Sequence, residues 1–390
     1  MENPVENFKL FLLNNHLFSA VIVMVLVFFI VYIITPRVIG VAQKKNLINP
    51  IIGRSSHKRE VPSLGGVSFF MVFLITIPLI NLIHFDGFAG YSIIGAITIL
   101  FMVGLKDDLV NSSARVKLYG QFLASAFIVF SSDFIITDYR GFLGIGEINP
   151  ILSMAISFLF LVVFINSFNL IDGLDGLASM VGIVISSAYL VMFTLKEDYF
   201  FASLSLVTIA TLGSFLRFNL AKGKLKIFMG DCGSLIIGLM IGVMTLHFLT
   251  NQPLLPPRQL FLPENRMIFV FSVLFIPLLD TFRVILLRLI AGKSPMEADR
   301  NHLHHVLNDY LKSHIKTSLV LAGLNLIVLL VFFSVASIYS FPIVSLVMSI
   351  TTIIILIVFH RISFSKKYNT FSYEEEEMYS TDNQKNSPAS

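Results

Sequence analysis

Apolar runs of about 15–22 residues recur along the chain, parted by short polar stretches. A helix needs about 20 apolar residues to cross a bilayer. The pattern predicts transmembrane helices at 17–35, 66–84, 91–106, 116–132, 150–168, 177–195, 199–216, 232–250, 268–290, 316–338 and 341–361, eleven in all. The runs at 91–106 and 116–132 are short, and Thr208, Thr211 and Ser214 dilute the run at 199–216. The expected fold is an all-α polytopic integral membrane protein.

Basic residues orient such a protein, because they collect in cytoplasmic loops. With the N-terminus outside, the inner segments are 36–65, 107–115, 169–176, 217–231, 291–315 and the tail from 362. Together with adjoining helix ends they hold 22 of the 28 Lys and Arg residues, against 5 on the outer side (Lys9, Arg140, Lys196, Arg258, Arg266). That bias predicts N-out, C-in. Residues 1–361 then form a single transmembrane catalytic domain with its active-site loops on the cytoplasmic face.

Composition sharpens the class. The chain is 55% hydrophobic and only 13% charged, whereas soluble domains are about 25% charged. With no Trp and 38 Phe, the interfacial aromatics must be Tyr and Phe. One cysteine, Cys232, excludes an internal disulfide. Glu2, Glu6 and Lys9 precede the first run, which argues for a retained helix over a cleaved leader. Gly141, Gly144 and Gly146 suggest a small outer hairpin within 133–149, and four prolines make 251–267 irregular. The segment 362–390, with Glu374 to Glu377, reads as a disordered cytoplasmic tail.

The chemistry-bearing residues all fall on the inner side. Asn166, Asn169, Asp172 and Asp175 share one stretch in which Gly173 and Gly176 each follow an aspartate. Asp107 and Asp108 follow the third span, Asp231 precedes the eighth, and His302, His304 and His305 follow the ninth. Five carboxylates at one site repel unless a cation joins them. Oxygen donors favour Mg2+ or Mn2+ over zinc. Acidic residues that hold a metal, with basic residues beside them, suit phosphoryl transfer. A transporter or lipid flippase is the rival class, with Asp280 and Arg283 as its intramembrane charges. Taken alone, each cluster also has a plainer reading as a helix end, a capped turn or a surface histidine group.

Four motifs occur in order: Gly104-Leu105-Lys106-Asp107-Asp108-Leu109, Asn166-x-x-Asn169-x-x-Asp172-Gly173-x-Asp175-Gly176-Leu177-Ala178, Phe228-Met229-Gly230-Asp231-x-Gly233-Ser234 and Asp299-Arg300-x-His302-x-His304-His305. His57 with Pro62-Ser63-Leu64-Gly65-Gly66, and Lys117 with Gln121, add to them. Together they resemble the polyprenyl-phosphate N-acetylhexosamine-1-phosphate transferases, over about residues 30–310. The resemblance implies a Mg2+-dependent (or Mn2+-dependent) transfer of a sugar 1-phosphate from a UDP-N-acetylhexosamine to polyprenyl phosphate, with release of UMP. The setting it implies is the cytoplasmic face of a bacterial inner membrane, at the first membrane step of envelope polysaccharide synthesis.

Carried onto this chain, the resemblance makes Asp107, Asp108, His302, His304 and His305 catalytic. It makes Asn166, Asn169, Asp172, Asp175, Lys117 and His57 substrate-binding, and Asp231 with Asp108 metal-binding. It gives nucleic acid no role and allows a homodimer. Two departures affect the first inner loop: Asn49-Pro50 and Arg54-Ser55-Ser56-His57 replace the pattern's acidic and Arg-Lys positions, and Ser63 stands where Arg is usual. Leu303 separates His302 from His304, unlike the three consecutive histidines of the phospho-MurNAc-pentapeptide branch. Simple UDP-N-acetylhexosamines, UDP-GlcNAc first, are therefore the expected donors. Direct attack by the lipid phosphate is favoured over an aspartyl intermediate.

Overall fold

The computed structural model describes residues 15–47, 61–84, 89–110, 112–131, 134–250, 260–294 and 301–385. Among them there is no strand, and helices follow one another in the order the apolar runs set. They are α1 (His16–Lys44), α2 (Gly65–His84), α3 (Ala89–Val110), α4 (Ala114–Val129), α5 (Pro150–Ile171), α6 (Leu177–Leu195) and α7 (Tyr199–Asn219). They continue as α8 (Gly230–Thr250), α9 (Arg266–Val273), α10 (Phe275–Ile290), α11 (Leu303–Leu311), α12 (His314–Ala336) and α13 (Phe341–Lys385). Every expected span is helical; the count of eleven is not confirmed. Among the described residues eight helices are long and apolar enough to cross a membrane, or nine when the bent pair α9–α10 counts as one.

The shortfall lies in α3 and α4. The end of α3 carries Lys106, Asp107 and Asp108. The 16 residues of α4 give about 24 Å at a rise of 1.5 Å per residue, short of a hydrocarbon core about 30 Å thick. Several helices also outrun their expected ends. Helix α3 takes in Asp107 and Asp108, which the sequence reading placed in a loop, and α13 continues to Lys385 through most of the segment read as a disordered tail. Extending a helix costs far less than nucleating one. The small hairpin expected within 133–149 forms around a bridge between Asp138 and Glu147, with Tyr139 N–H donating to Gly146 O at 3.0 Å and Ile148 N–H to Thr137 O at 3.0 Å.

Helix α8 is the axis. Its most apolar stretch is 94% buried, and it packs against α2, α3, α5 and α6. A helix apolar on all sides belongs in a core. The polar dilution of α7 has the same origin: Thr208, Thr211 and Ser214 are fully buried. There two of the hydroxyls find carbonyls, Thr208 donating to Leu204 O at 2.9 Å and Ser214 to Phe28 O at 2.9 Å.

Helices α9 and α10 meet at 73°. Pro277 accounts for the break, since its ring clashes with the carbonyl four residues back, that of Val273, and it has no N–H to give. The fully buried Asn325 of α12 takes up the freed groups: Ile276 N–H donates to its Oδ1 at 3.0 Å and its Nδ2 donates to Val273 O at 2.9 Å. Asn325→Leu leaves both backbone groups without a partner. It is expected to cost about 1–3 kcal/mol for each unsatisfied group, read as a lower melting temperature of the purified protein. An unchanged melting temperature would remove this role from Asn325.

Candidate active site

The site is built around the first turn of α8. The segment before it is held in extended pairing with the entry to α2. Phe228 N–H donates to Pro62 O at 2.9 Å, Gly65 N–H to Phe228 O at 3.0 Å and Gly66 N–H to Met229 O at 3.0 Å. Gly230 turns the chain into α8 with φ +73°, a conformation that favours glycine. The first amides of α8 have no partner within their own helix. Asp108 on α3 supplies one, its two oxygens accepting from Asp231 N–H at 2.9 Å and Cys232 N–H at 3.0 Å. This reach depends on Gly104, where an added Cβ would lie 2.7 Å from Cys232 N.

Lys117, in the first turn of α4, places its ammonium between two carboxylates. It pairs with Asp107 at 2.7 Å and more closely with Asp231. Asn169 on α5 donates from one Nδ2 to Asp231 Oδ1 at 2.6 Å and to Ser234 Oγ at 2.7 Å. Asp107 also accepts from Ser112 N–H at 2.6 Å. Asp107, Asp108, Lys117, Asn169 and Asp231 thus form one network drawn from α3, α4, α5 and α8.

Asp172, just past α5, adds a carboxylate to that group. It has no side-chain hydrogen-bond partner among the described residues. Burial of its carboxyl, then the charges of Asp231, Asp108 and Asp175, raise its pKa well above the ordinary carboxylate value. A cation would relieve this repulsion. Among the described residues no three His, Cys, Asp or Glu side chains are already arranged as a metal centre. The donors present are nonetheless oxygens of carboxylates and an amide, and they fit Mg2+ or Mn2+.

Asp175 faces a different set. Its Oδ2 accepts from Lys226 Nζ at 2.6 Å and lies 3.2 Å from His314 Nδ1. Ser318 Oγ donates to its carbonyl at 2.8 Å. One residue on, Gly176 N–H donates to Asn219 Oδ1 at 2.6 Å, and Asn219 Nδ2 donates to Ile227 O at 3.0 Å. These bonds tie the Asp172–Gly176 turn to the segment leading into α8 and to the start of α12. Asn166 is half-buried on α5 and makes no side-chain hydrogen bond among the described residues. His57 and the pair Asp299-Arg300 lie outside the described residues.

The histidines open α11, a short helix inside the expected loop 291–315. His302 and His304 are buried, and the rings of His304 and His305 lie 4.3 Å apart. His304 abuts the aspartate turn: a Cβ on Gly173 would come 2.5 Å from its Nε2. The sequence reading did not assign Asn219, Lys226, His314 or Ser234 to the site. It gave Asp280 to a rival class, although a lone carboxylate in an apolar run was a signal that could have found it.

The fold and the site together make a membrane-embedded helical bundle with carboxylates, a lysine and imidazoles gathered at one end. The glycosyl transferase family 4 pattern matches residues 90–249. The chain is 30% identical to a probable undecaprenyl-phosphate N-acetylglucosaminyl 1-phosphate transferase of Bacillus subtilis, over 90% of this chain and 93% of the relative. It is 28% identical to a decaprenyl-phosphate N-acetylglucosaminephosphotransferase of Mycolicibacterium smegmatis, over 69% of this chain and 70% of the relative. It is also 31% identical to a phospho-N-acetylmuramoyl-pentapeptide-transferase of Prochlorococcus marinus, over 62% of this chain and 71% of the relative. The chain belongs to the polyprenyl-phosphate N-acetylhexosamine-1-phosphate transferases of glycosyl transferase family 4.

Proposed function

We propose that this enzyme transfers N-acetylglucosamine 1-phosphate from UDP-GlcNAc to undecaprenyl phosphate and releases UMP. The proposed setting is the cytoplasmic face of a bacterial inner membrane, where the basic inner segments would place the site. The observation that carries the reading is the Asp107–Lys117–Asp231 bridge, with Asn169 and Asp172 beside it. It gathers positive charge and metal-type oxygen donors where two anionic phosphates must meet.

In the proposed step an oxygen of the lipid phosphate attacks the phosphorus next to the sugar. The anhydride bond to UMP breaks, and UMP leaves with the bonding electron pair. A phosphate oxygen is nucleophilic near neutral pH, so no strong base is required. Direct attack is supported by the way the paired aspartates are held: Asp107 by Lys117 and Ser112, Asp108 by two backbone amides. Carboxylates engaged in this way are poor nucleophiles. Lys117 can pass from its carboxylates to the donor diphosphate and stabilise charge there. Asp231 and Asp172, with Asp108 fixing the helix start behind them, would hold a Mg2+ ion, which would supply positive charge against phosphate–phosphate repulsion.

The raised pKa of Asp172 sets a pH dependence. A protonated carboxyl must lose its proton before it binds a cation, so apparent Mg2+ affinity rises with pH. The Mg2+ concentration for half-maximal rate is expected to fall from mildly acid to mildly alkaline buffer, and Asp172→Asn should flatten that trend. A requirement that does not change with pH in the wild type contradicts the assignment.

The test of function is UMP release by purified protein given undecaprenyl phosphate, Mg2+ and a panel of UDP-GlcNAc, UDP-GalNAc and UDP-MurNAc-pentapeptide. UMP with UDP-GlcNAc is expected. UMP with the pentapeptide donor alone would move the enzyme to the other branch, and no UMP with any donor would sink the reading.

A further inference from the structure

Asp280 lies in α10, between the apolar run Phe275–Leu279 and Phe282, and is 1% exposed. A carboxylate there is costly unless its oxygens are used. Both are used on the histidine segment. Oδ2 lies 2.9 Å from His302 Nδ1, and Oδ1 accepts from Leu303 N–H at 2.7 Å. His304 Nδ1 stands 3.8 Å from Oδ2. One turn along α10, Arg283 Nη1 donates to Asn301 O at 2.6 Å. Two residues three apart on one helix therefore grip three consecutive residues, Asn301, His302 and Leu303.

The grip reaches the site. The His302 and His304 rings stack 5.6 Å apart, and His304 Nε2 lies against Gly173, between Asp172 and the Lys226-bound Asp175. A contact at Nδ1 also fixes how an imidazole is used. With Nδ1 turned to the carboxylate, Nε2 is the nitrogen left for a substrate.

We propose that Asp280 is a positioning residue for the transfer reaction. Through His302 and the Leu303 amide, it holds the histidine segment against the Asp172–Gly176 turn and directs His302 Nε2 toward the donor diphosphate. The role assigned to the diphosphate rests on the function proposed above. The geometry of the grip does not. The two charges that a transporter would place on a transport path serve here to anchor the last inner segment.

The test is a double-mutant cycle of Asp280→Asn and His302→Gln, read as kcat and KM for UDP-GlcNAc in UMP release. Asp280→Asn alone is expected to lower kcat by about 10- to 100-fold, the usual cost of losing the partner that orients an imidazole, with KM nearly unchanged. In the His302→Gln background the same change should have almost no further effect. Asp280→Glu should recover part of the rate. Equal losses in both backgrounds, or full activity in Asp280→Asn, would overturn the proposal.

A second readout is independent of turnover. Diethyl pyrocarbonate labelling followed by mass spectrometry should rise at His302 and His304 in Asp280→Asn and stay constant at His84 and His247. A uniform rise would make Asp280 a general structural residue and overturn the proposal. Selective labelling in a protein that releases no UMP would leave the anchor standing and remove only the proposed function.

Discussion

Asp231→Asn is expected to lower kcat by about 10²- to 10³-fold or more, the scale on which a single electrostatic contact at a reacting centre acts, while the protein still folds. Each oxygen of this carboxylate has its own partner, the Lys117 ammonium on one and the Asn169 amide on the other. An asparagine can offer only one acceptor. Its NH2 must then face a donor, either Lys117 or Asn169, and the network has to open. Charge is lost as well. Lys117 would keep Asp107 alone, and the proposed cation would lose a ligand. The backbone is spared, because Asp108 still accepts from the amides of residues 231 and 232. The expected result is a melting temperature close to wild type beside a nearly dead enzyme. An ordinary Mg2+ response in this variant would remove Asp231 from the site.

Gly66→Ala is the second large effect, and it acts through packing. A Cβ at Gly66 would stand 2.6 Å from the Cys232 carbonyl carbon and 2.7 Å from its Sγ. The crowding atoms include backbone of the first turn of α8, which cannot shift without carrying Asp231 along. Gly66 N–H is also bonded to Met229 O, so α2 is tied to the same turn. Overpacking of this kind costs about 1–3 kcal/mol, and loss of turnover should exceed what that destabilisation explains. Gly213→Ala is the control. Nothing lies within 4 Å of its added Cβ, and alanine is the better helix former. Melting curves and UMP release for the two variants check the difference. Equal behaviour would mean that α2 and α8 do not need this close approach.

Much of the fold could be read from the sequence because burial in a bilayer leaves a one-dimensional trace. Every apolar run became a helix. The differences lie where three-dimensional context decides. Helix α4 looks like a span in the sequence but is too short by itself, and the break at Leu274 depends on Pro277 meeting Asn325 on another helix. No local pattern announces that pairing. That Asp107, Asp108, Asn169 and Asp231 gather in one place was readable, since unpaired carboxylates do not survive in hydrocarbon and glycines marked the turns. Their division of labour was not. Asp108 caps α8 from another helix, and Asp175 sits with Lys226 and His314, because partners about fifty to a hundred and forty residues away in sequence set what each oxygen does. Asp280 shows the same limit: it reads as an intramembrane charge in sequence and as the anchor of His302 in space.

The most direct test of the account follows the phosphorus atom. Purified protein in Mg2+ buffer is given undecaprenyl phosphate and UDP-GlcNAc radiolabelled at the phosphorus next to the sugar. The products are then divided between organic and aqueous phases. Attack at that phosphorus predicts label in the lipid fraction and unlabelled UMP in water. Labelled UDP in the aqueous phase, with unlabelled sugar on the lipid, would mean transfer of sugar without its phosphate and would contradict the central claim.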